Sequence, residues 1–200
     1  MNVKSFEQAK QYALQRLERE LPPNLYYHRS AHTFDEVVPE AEMLAGMEGI
    51  QGEALYLLLT AAWFHDLGHI EQTPHHELIS ARIATQVLPG FGYAKDQIEI
   101  IRWAILATTL PQSPTTLFEQ VLTDADLSLL ARKDFMTRNN DLRREFASFG
   151  EEFTDIEWYK NQIKFFEGHQ YFTASARALR NAGKLLNLTA IKRKLEILER

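Results

Sequence analysis

The sequence predicts an all-α protein, one domain of about eight to ten helices. Three observations carry that expectation. Apolar residues recur at three- and four-residue steps through most of the 200 residues, no period-two alternation lasts beyond a few positions, and β-branched residues are thinly spread. The first helix shows the pattern in Phe6, Ala9, Ala13, Leu14, Leu17 and Leu21, and Pro22-Pro23 must stop it, because proline has no N–H to give the preceding turn. A second helix is expected over about 28–47, with Pro39 as a kink and Gly46 and Gly49 near its end. The third is almost wholly apolar, running from Ala54 through Leu57, Leu58, Leu59, Ala61, Ala62, Trp63 and Phe64 into His65-Asp66, with Gly68 as its terminator. A loop at 71–74 leads to a helix over 75–87 closed by Pro89-Gly90, and further helices are expected over 95–107, 116–131, 135–149, 156–167 and 174–198. The last is expected to break near Asn187, while Gly150 and Gly168 mark joints.

Composition narrows the chemistry. With 45% hydrophobic and 24% charged residues the chain can bury a sizeable core. The absence of cysteine excludes disulfides, thiolate metal sites and cysteine nucleophiles, so any metal has N and O ligands. The N-terminus lacks the apolar run of a secretion signal, and the apolar third helix is too short to span a bilayer before His65, so the expectation is a soluble, cytoplasmic protein with no membrane role. A net charge of −5 argues against a nucleic-acid polymer as partner and leaves room for a local pocket that binds one phosphate. The basic residues near the end, Lys184, Lys192, Arg193, Lys194 and Arg200, alternate with leucines and isoleucine and read as the solvated face of an amphipathic helix.

Six of the seven histidines fall in three clusters: His28 with His32, His65-Asp66 with His69, and His75-His76-Glu77. His169 stands alone and reads as a surface or capping residue. Two imidazoles at i and i+4 share a face if the segment is helical. An imidazole and a carboxylate at the end of a buried helix are costly unless both are satisfied, and a bound cation satisfies both. A fourth element is acidic. Asp124 and Asp126 interrupt an apolar helix and point about 200° apart. Asp126 has Leu122, Leu129 and Leu130 around it, on the core-facing stripe, whereas Asp124 has the more mixed neighbours Gln120, Val121, Leu127 and Ser128. Asp126 is therefore the stronger ligand candidate, and ligands drawn from separate helices are how bundle metal sites are built.

The order His32, His65-Asp66, Asp126 resembles the HD-domain superfamily of metal-dependent phosphohydrolases, whose ligands follow an H, HD, D order. Tyr27-His28-x3-His32-x4-Val37 is similar to the first motif, Ala62-Trp63-Phe64-His65-Asp66-Leu67-Gly68-His69 to the second, and Ala125-Asp126-Leu127-Ser128 to the last. The resemblance implies an HD-type helical bundle with His32, His65, Asp66 and Asp126 as metal ligands. Within the superfamily, cyclic-nucleotide phosphodiesterases carry Tyr-His-Asn-x-x-His, and similarity to them makes His28 the general acid. Arg29 stands where that pattern has asparagine. Small stand-alone bacterial HD phosphohydrolases look closer in length and in Glu77-x-x-Ser80-Ala81, Ala107-Thr108-Thr109 and Thr123-Asp124-Ala125-Asp126-Leu127-Ser128.

The implied reaction is hydrolysis of a phosphate mono- or diester of a nucleotide or other small phosphorylated metabolite by a metal-activated water, in a monomer or homodimer. The cation activates and orients that water, Asp66 counts as catalytic as well as ligating, His28 or His69 supplies the leaving-group proton or binds the phosphate, and Arg29 and Arg82 are candidate phosphate contacts. The third cluster sets nuclearity. If His75 or His76 reaches the cleft, a second ion can be bridged by Asp66; if neither does, Glu77 orients a ligand or a water. Mixed N and O ligation suits manganese, zinc, iron, nickel or magnesium. The alternatives are a di-iron HD-type oxygenase, which needs His75 or His76 as a ligand, and a non-catalytic nucleotide-sensing module.

Overall fold

A computed structural model describes residues 3–200. Every regular element among them is helical: α1 (Val3–Glu20), α2 (Val38–Met47), α3 (Gly52–Phe64), α4 (His76–Val87), α5 (Lys95–Ala107), α6 (Leu117–Asp126), α7 (Phe135–Ser148), α8 (Asp155–Gly168) and α9 (Ala174–Leu198), with a π-helical turn at His32–Val37 and short 3-10 turns between. None of these helices is long and apolar enough to cross a membrane. The residues gather into two compact units, one holding the chain up to Pro23 with His28–Asp126, the other holding Asn24–Tyr27 with Leu127–Arg200.

The first unit is organised around α3. Every side chain from Leu57 to Phe64 is buried, which is why this helix carries no polar face. Helices α1, α2 and α5 pack against it. Helix α1 contributes Phe6, Ala9, Ala13 and Leu17 at helical spacing, and α5 contributes Ile98, Ile101, Ala104 and Ile105. Phe6 meets Tyr56 with ring centroids 5.1 Å apart, and Tyr12 stacks on Phe64 at 6.0 Å.

The second helix differs from its expected form. Residues 26–29 bend, the π turn occupies His32–Val37, and α2 begins only at Val38. The cause is Pro39, in the first turn of α2. It has no N–H, and in a continuous helix its ring would collide with the carbonyl four residues back, so the turn before it widens by one residue instead of kinking.

The second unit is built from α7, α8 and α9 around Phe135, Trp158, Phe166, Leu129, Leu130 and Ile191. Phe135 and Phe166 meet edge to face at 5.0 Å. Thr154 and Glu157 form a reciprocal capping box at the start of α8, and Thr173 caps α9 through the Ala176 N–H. The expected break at Asn187 is absent. Its amide instead donates to the carbonyls of Leu130 and Arg132, both at 2.9 Å, satisfying the exit from the 3-10 turn at Ser128–Ala131. That turn also replaces the last part of the helix expected over 116–131.

His169 does cap α8, but its ring is no surface group. Both ring nitrogens are buried without a hydrogen-bond partner, and the ring lies 4.7 Å from Tyr171 in edge contact. Burial, assisted by the charge of Lys184, lowers its pKa from 6.5 to about 4. The folded state thus holds the neutral ring, and its stability is whole above the unfolded value and declines as pH falls from 6.5 toward about 4. His169→Phe is expected to flatten that part of the acid limb. Chemical denaturation of parent and variant across this window measures it, and equal slopes would refute the assignment.

Candidate metal centre

The centre is assembled where α3 ends. His65 follows its last residue and Asp66 turns the chain, with φ −102° and ψ 2°, into the 3-10 turn Leu67–Ile70 that carries His69. His65 Nδ1 lies 2.7 Å from the Ala62 carbonyl, so it carries a proton and donates, which leaves Nε2 as the ring atom turned toward the carboxylates. His32 is fixed in the same way by Glu36, whose carboxylate sits 3.0 Å from Nδ1. This is how imidazole ligands are oriented from behind.

The opposing nitrogens converge on two carboxylates. His65 Nε2 is 3.3 Å from Asp66 Oδ2 and 3.5 Å from Asp126 Oδ1; His32 Nε2 is 3.8 Å and 3.5 Å from the same two atoms. Asp126, the last residue of α6, comes from a third element. The other oxygen of Asp66 faces a second set of rings, with His76 Nε2 at 3.3 Å and His69 Nε2 at 3.9 Å. His69 stacks between His28, at 4.4 Å, and His76, at 3.9 Å. Thr73 sits behind two of these rings, its hydroxyl 3.4 Å from His69 Nδ1 and its carbonyl 3.2 Å from His76 Nδ1.

Gly68 makes this second set reachable. Its N–H donates to Ser80 Oγ at 2.7 Å, and a Cβ on it would lie 2.0 Å from the His76 carbonyl oxygen. The start of α4 therefore rests on bare backbone, and His76 is carried to Asp66.

His32, His65, Asp66 and His69 are each no more than 4% exposed. Burial disfavours the charged imidazolium of His32, yet hydrogen bonds to Asp126 and Glu36 and the charge of Asp66 outweigh it and push its pKa up to about 9. His65 rises well above its ordinary value against the same burial cost, through Asp66 and Asp126. Asp66 is held well below the carboxylate range, burial notwithstanding, by His65, His76 and His69, and Asp126 is lowered by His32 and His65. His69 moves the other way, because burial and the neighbouring His28 both disfavour its charge. His65 Nε2, Asp66 Oδ2 and His69 Nε2 are buried with no hydrogen-bond partner. Such atoms cost on the order of 1–3 kcal/mol each unless occupied. The donors suit a divalent cation: two groups, His32 with His65 and Asp66, and His28 with Asp66 and His69, have one ligand atom per residue within 4.8 Å of one another.

Residues 36–128 match a family model described as HD domain. These residues of the chain are an HD domain. The HD match takes in His65, Asp66 and Asp126 and starts four residues after His32. No curated protein matches the chain. The crystal structure of a structural-genomics target from Lactobacillus plantarum is similar in fold, with a TM-score of 0.68 over 98% of this chain and 99% of that one at 21% identity. The all-α fold is thus shared with a solved protein along nearly the whole chain.

Not every residue singled out in the sequence reaches this HD centre. His76 does and its neighbour His75 does not: His75 takes the left-handed conformation, φ 60°, at the start of α4 and is exposed. Glu77 stands behind His76, with its carboxylate 3.7 Å from Nδ1. Arg82 is exposed and bound to Glu71 and Gln86, about 120° round α4 from His76. Arg29 is exposed, the last residue of the bend at 26–29. Asp124, expected on a mixed face, is 1% exposed, because α6 is surrounded in its last turns: Val121, Leu122, Thr123 and Ala125 are buried with it. Glu36, Thr73 and Ser80 hold the ligand rings and backbone. Of these, Glu36 had a readable signal, an acid four residues after His32.

Two outcomes follow from this geometry. Gly68→Ala forces α4 off the turn, so stability should fall by about 1–3 kcal/mol or more, with divalent-metal affinity falling too; calorimetry with and without metal reads both. Without metal, the raised pKa values of His32 and His65 stabilise the fold fully below 6.5, and that contribution is lost as pH rises through about 9. The melting temperature of chelator-treated protein should therefore fall across this window, and manganese should remove the fall while releasing protons. Titration calorimetry in buffers of different ionisation enthalpy counts those protons, and a count of zero near pH 8 would contradict the assignment.

Proposed function

We propose that this protein is a metal-dependent phosphohydrolase acting on a phosphate mono- or diester of a nucleotide or similarly small phosphorylated metabolite. The observation that carries the reading is the division of Asp66: one oxygen faces His32 and His65 beside Asp126, the other faces His69 and His76. His32, His65, Asp66 and Asp126 would hold the first ion, with manganese, zinc, iron, nickel and magnesium all suited to N and O donors. A cation there supplies a bound water of lowered pKa and draws charge from a phosphoryl oxygen.

The chain's own groups do the rest. Asp66, through the oxygen that it does not give to His69 and His76, would help to hold the first ion and orient a water beside it. His28, half-buried at the edge of the ring stack, is the proton donor for the leaving oxygen. His69, kept neutral by its surroundings, and His76 face the same Asp66 oxygen, where a second ion would be bridged. Arg29 is the arginine left free to meet a substrate phosphate, since Arg82 is bound to Glu71. The position of His76 also sustains a di-iron oxygenase as the second reading; two irons per chain with an oxygen-dependent product would select it.

Purified protein loaded with manganese should hydrolyse nucleotide or aryl phosphate esters. Asp66→Ala should lower turnover by about 10³-fold or more, and undiminished activity would sink the mechanism. His28→Ala should lose more on alkyl than on p-nitrophenyl esters, whose leaving group needs no proton. An equal loss on both would remove His28 from the acid role.

A further inference from the structure

His69 and His76 reach Asp66 from different elements, the 3-10 turn Leu67–Ile70 and the first residue of α4, yet the far sides of both rings end on one residue. The Thr73 hydroxyl lies 3.4 Å from His69 Nδ1. The Thr73 carbonyl lies 3.2 Å from His76 Nδ1, against 3.7 Å for the Glu77 carboxylate, and also accepts the His76 N–H at 3.3 Å. Its neighbours Glu71, Gln72, Pro74 and His75 are exposed, while Thr73 is half-buried. The rings of the first set are backed by other groups, His65 by the Ala62 carbonyl and His32 by Glu36.

The segment that carries Thr73 is held on both sides. The N–H groups of Glu71 and Gln72 donate to the Gly68 carbonyl at 3.0 and 3.1 Å, and Gln72 Nε2 donates to the Pro74 carbonyl at 2.6 Å. Pro74 disfavours the helical conformation for the residue before it, which narrows the directions open to the Thr73 carbonyl. His75 then takes φ 60°, a left-handed conformation that a residue with a Cβ keeps only where its surroundings impose it. It turns the chain so that the N–H and the ring of His76 both come back to the Thr73 carbonyl.

A ring that ligates through Nε2 keeps its proton on Nδ1, and an acceptor behind it fixes both the tautomer and the ring plane. A carbonyl only accepts, and a hydroxyl accepts when its own proton is turned elsewhere. Thr73 offers one acceptor to each ring of the second set. We propose that Thr73 decides whether the centre takes a second ion: it is the positioning residue for His69 and His76 and leaves the first set untouched. The proposal deepens the reading above and rests on its bridged second ion, not on hydrolysis.

The experiment titrates chelator-treated protein with manganese, following the two binding steps by calorimetry and the bridged pair by its exchange-coupled electron paramagnetic resonance lines, which a single bound ion lacks. Thr73→Val removes the hydroxyl at nearly constant volume, and Thr73→Ser keeps it. Thr73→Val should weaken the second step about tenfold and lose the coupled lines at two equivalents, with the first step unchanged, and Thr73→Ser should restore both. A second step of parental strength in Thr73→Val overturns the proposal, as does a matching loss in both steps, which a merely structural role would give. Thr73→Ser as weak as Thr73→Val, or a parent that takes up one manganese, overturns it too. Two bound ions with this dependence on Thr73, in a protein that leaves bis(p-nitrophenyl) phosphate intact, would uphold the proposal and refute the phosphohydrolase reading.

Discussion

Asp66 is a buried carboxylate whose two oxygens serve two different sets of imidazoles, and most of the neighbouring structure is arranged around that one fact. A carboxylate 4% exposed cannot stand without positive charge or protons beside it. Helix α3 delivers it with His65 because that helix is too apolar to end anywhere but inside. The wide turn delivers His32, the last residue of α6 delivers Asp126, and the glycine at 68 lets α4 deliver His76. Each element is constrained at the end that meets Asp66.

Taken by themselves, these protein groups satisfy one another through shared protons and ion pairs, but imperfectly. The closest nitrogen-to-carboxylate separations, apart from the His32–Glu36 bond, are 3.3 Å, outside good charge-assisted geometry, and three of the buried atoms make no hydrogen bond. A small cation between the rings and carboxylates suits those separations better than protons do. The structure favours binding in the other sense too, since Glu36, Thr73 and the Ala62 carbonyl already hold the ligand rings. Little rearrangement is asked of them when an ion arrives.

Much of this was legible in the sequence. The limits of α5 and α9 follow from apolar spacing alone, and α1 ends before Pro22 as a proline pair demands. The H, HD, D order picked out three elements that do converge. What was hidden has physical causes. The apolar spacing through Val37, Val38, Ala41 and Leu44 is helical with or without one extra residue, so the π turn left no trace in it. Adjacent histidines at 75 and 76 are indistinguishable until one is known to take a left-handed backbone. Arg82 resembles a phosphate ligand in composition and differs only in which way α4 turns it. The bonds of the Tyr27 main chain to Glu145 and Arg138 draw on residues more than a hundred positions away, beyond the reach of local patterns.

The widened turn at His32–Val37 has a consequence for descent as well as for shape. A π turn is an α-helix with one residue too many, and at about 100° per residue it rotates everything ahead of it relative to everything behind. His32 and Glu36 lie within the turn, and His28 lies ahead of it, while α2 is packed into the core behind it. Loss of a single residue here would leave a well-formed helix and an intact core, yet swing the first ligand away from Asp66. This stretch can therefore change length only at the expense of the centre, and among relatives that keep the centre its residue count should be more tightly held than its composition.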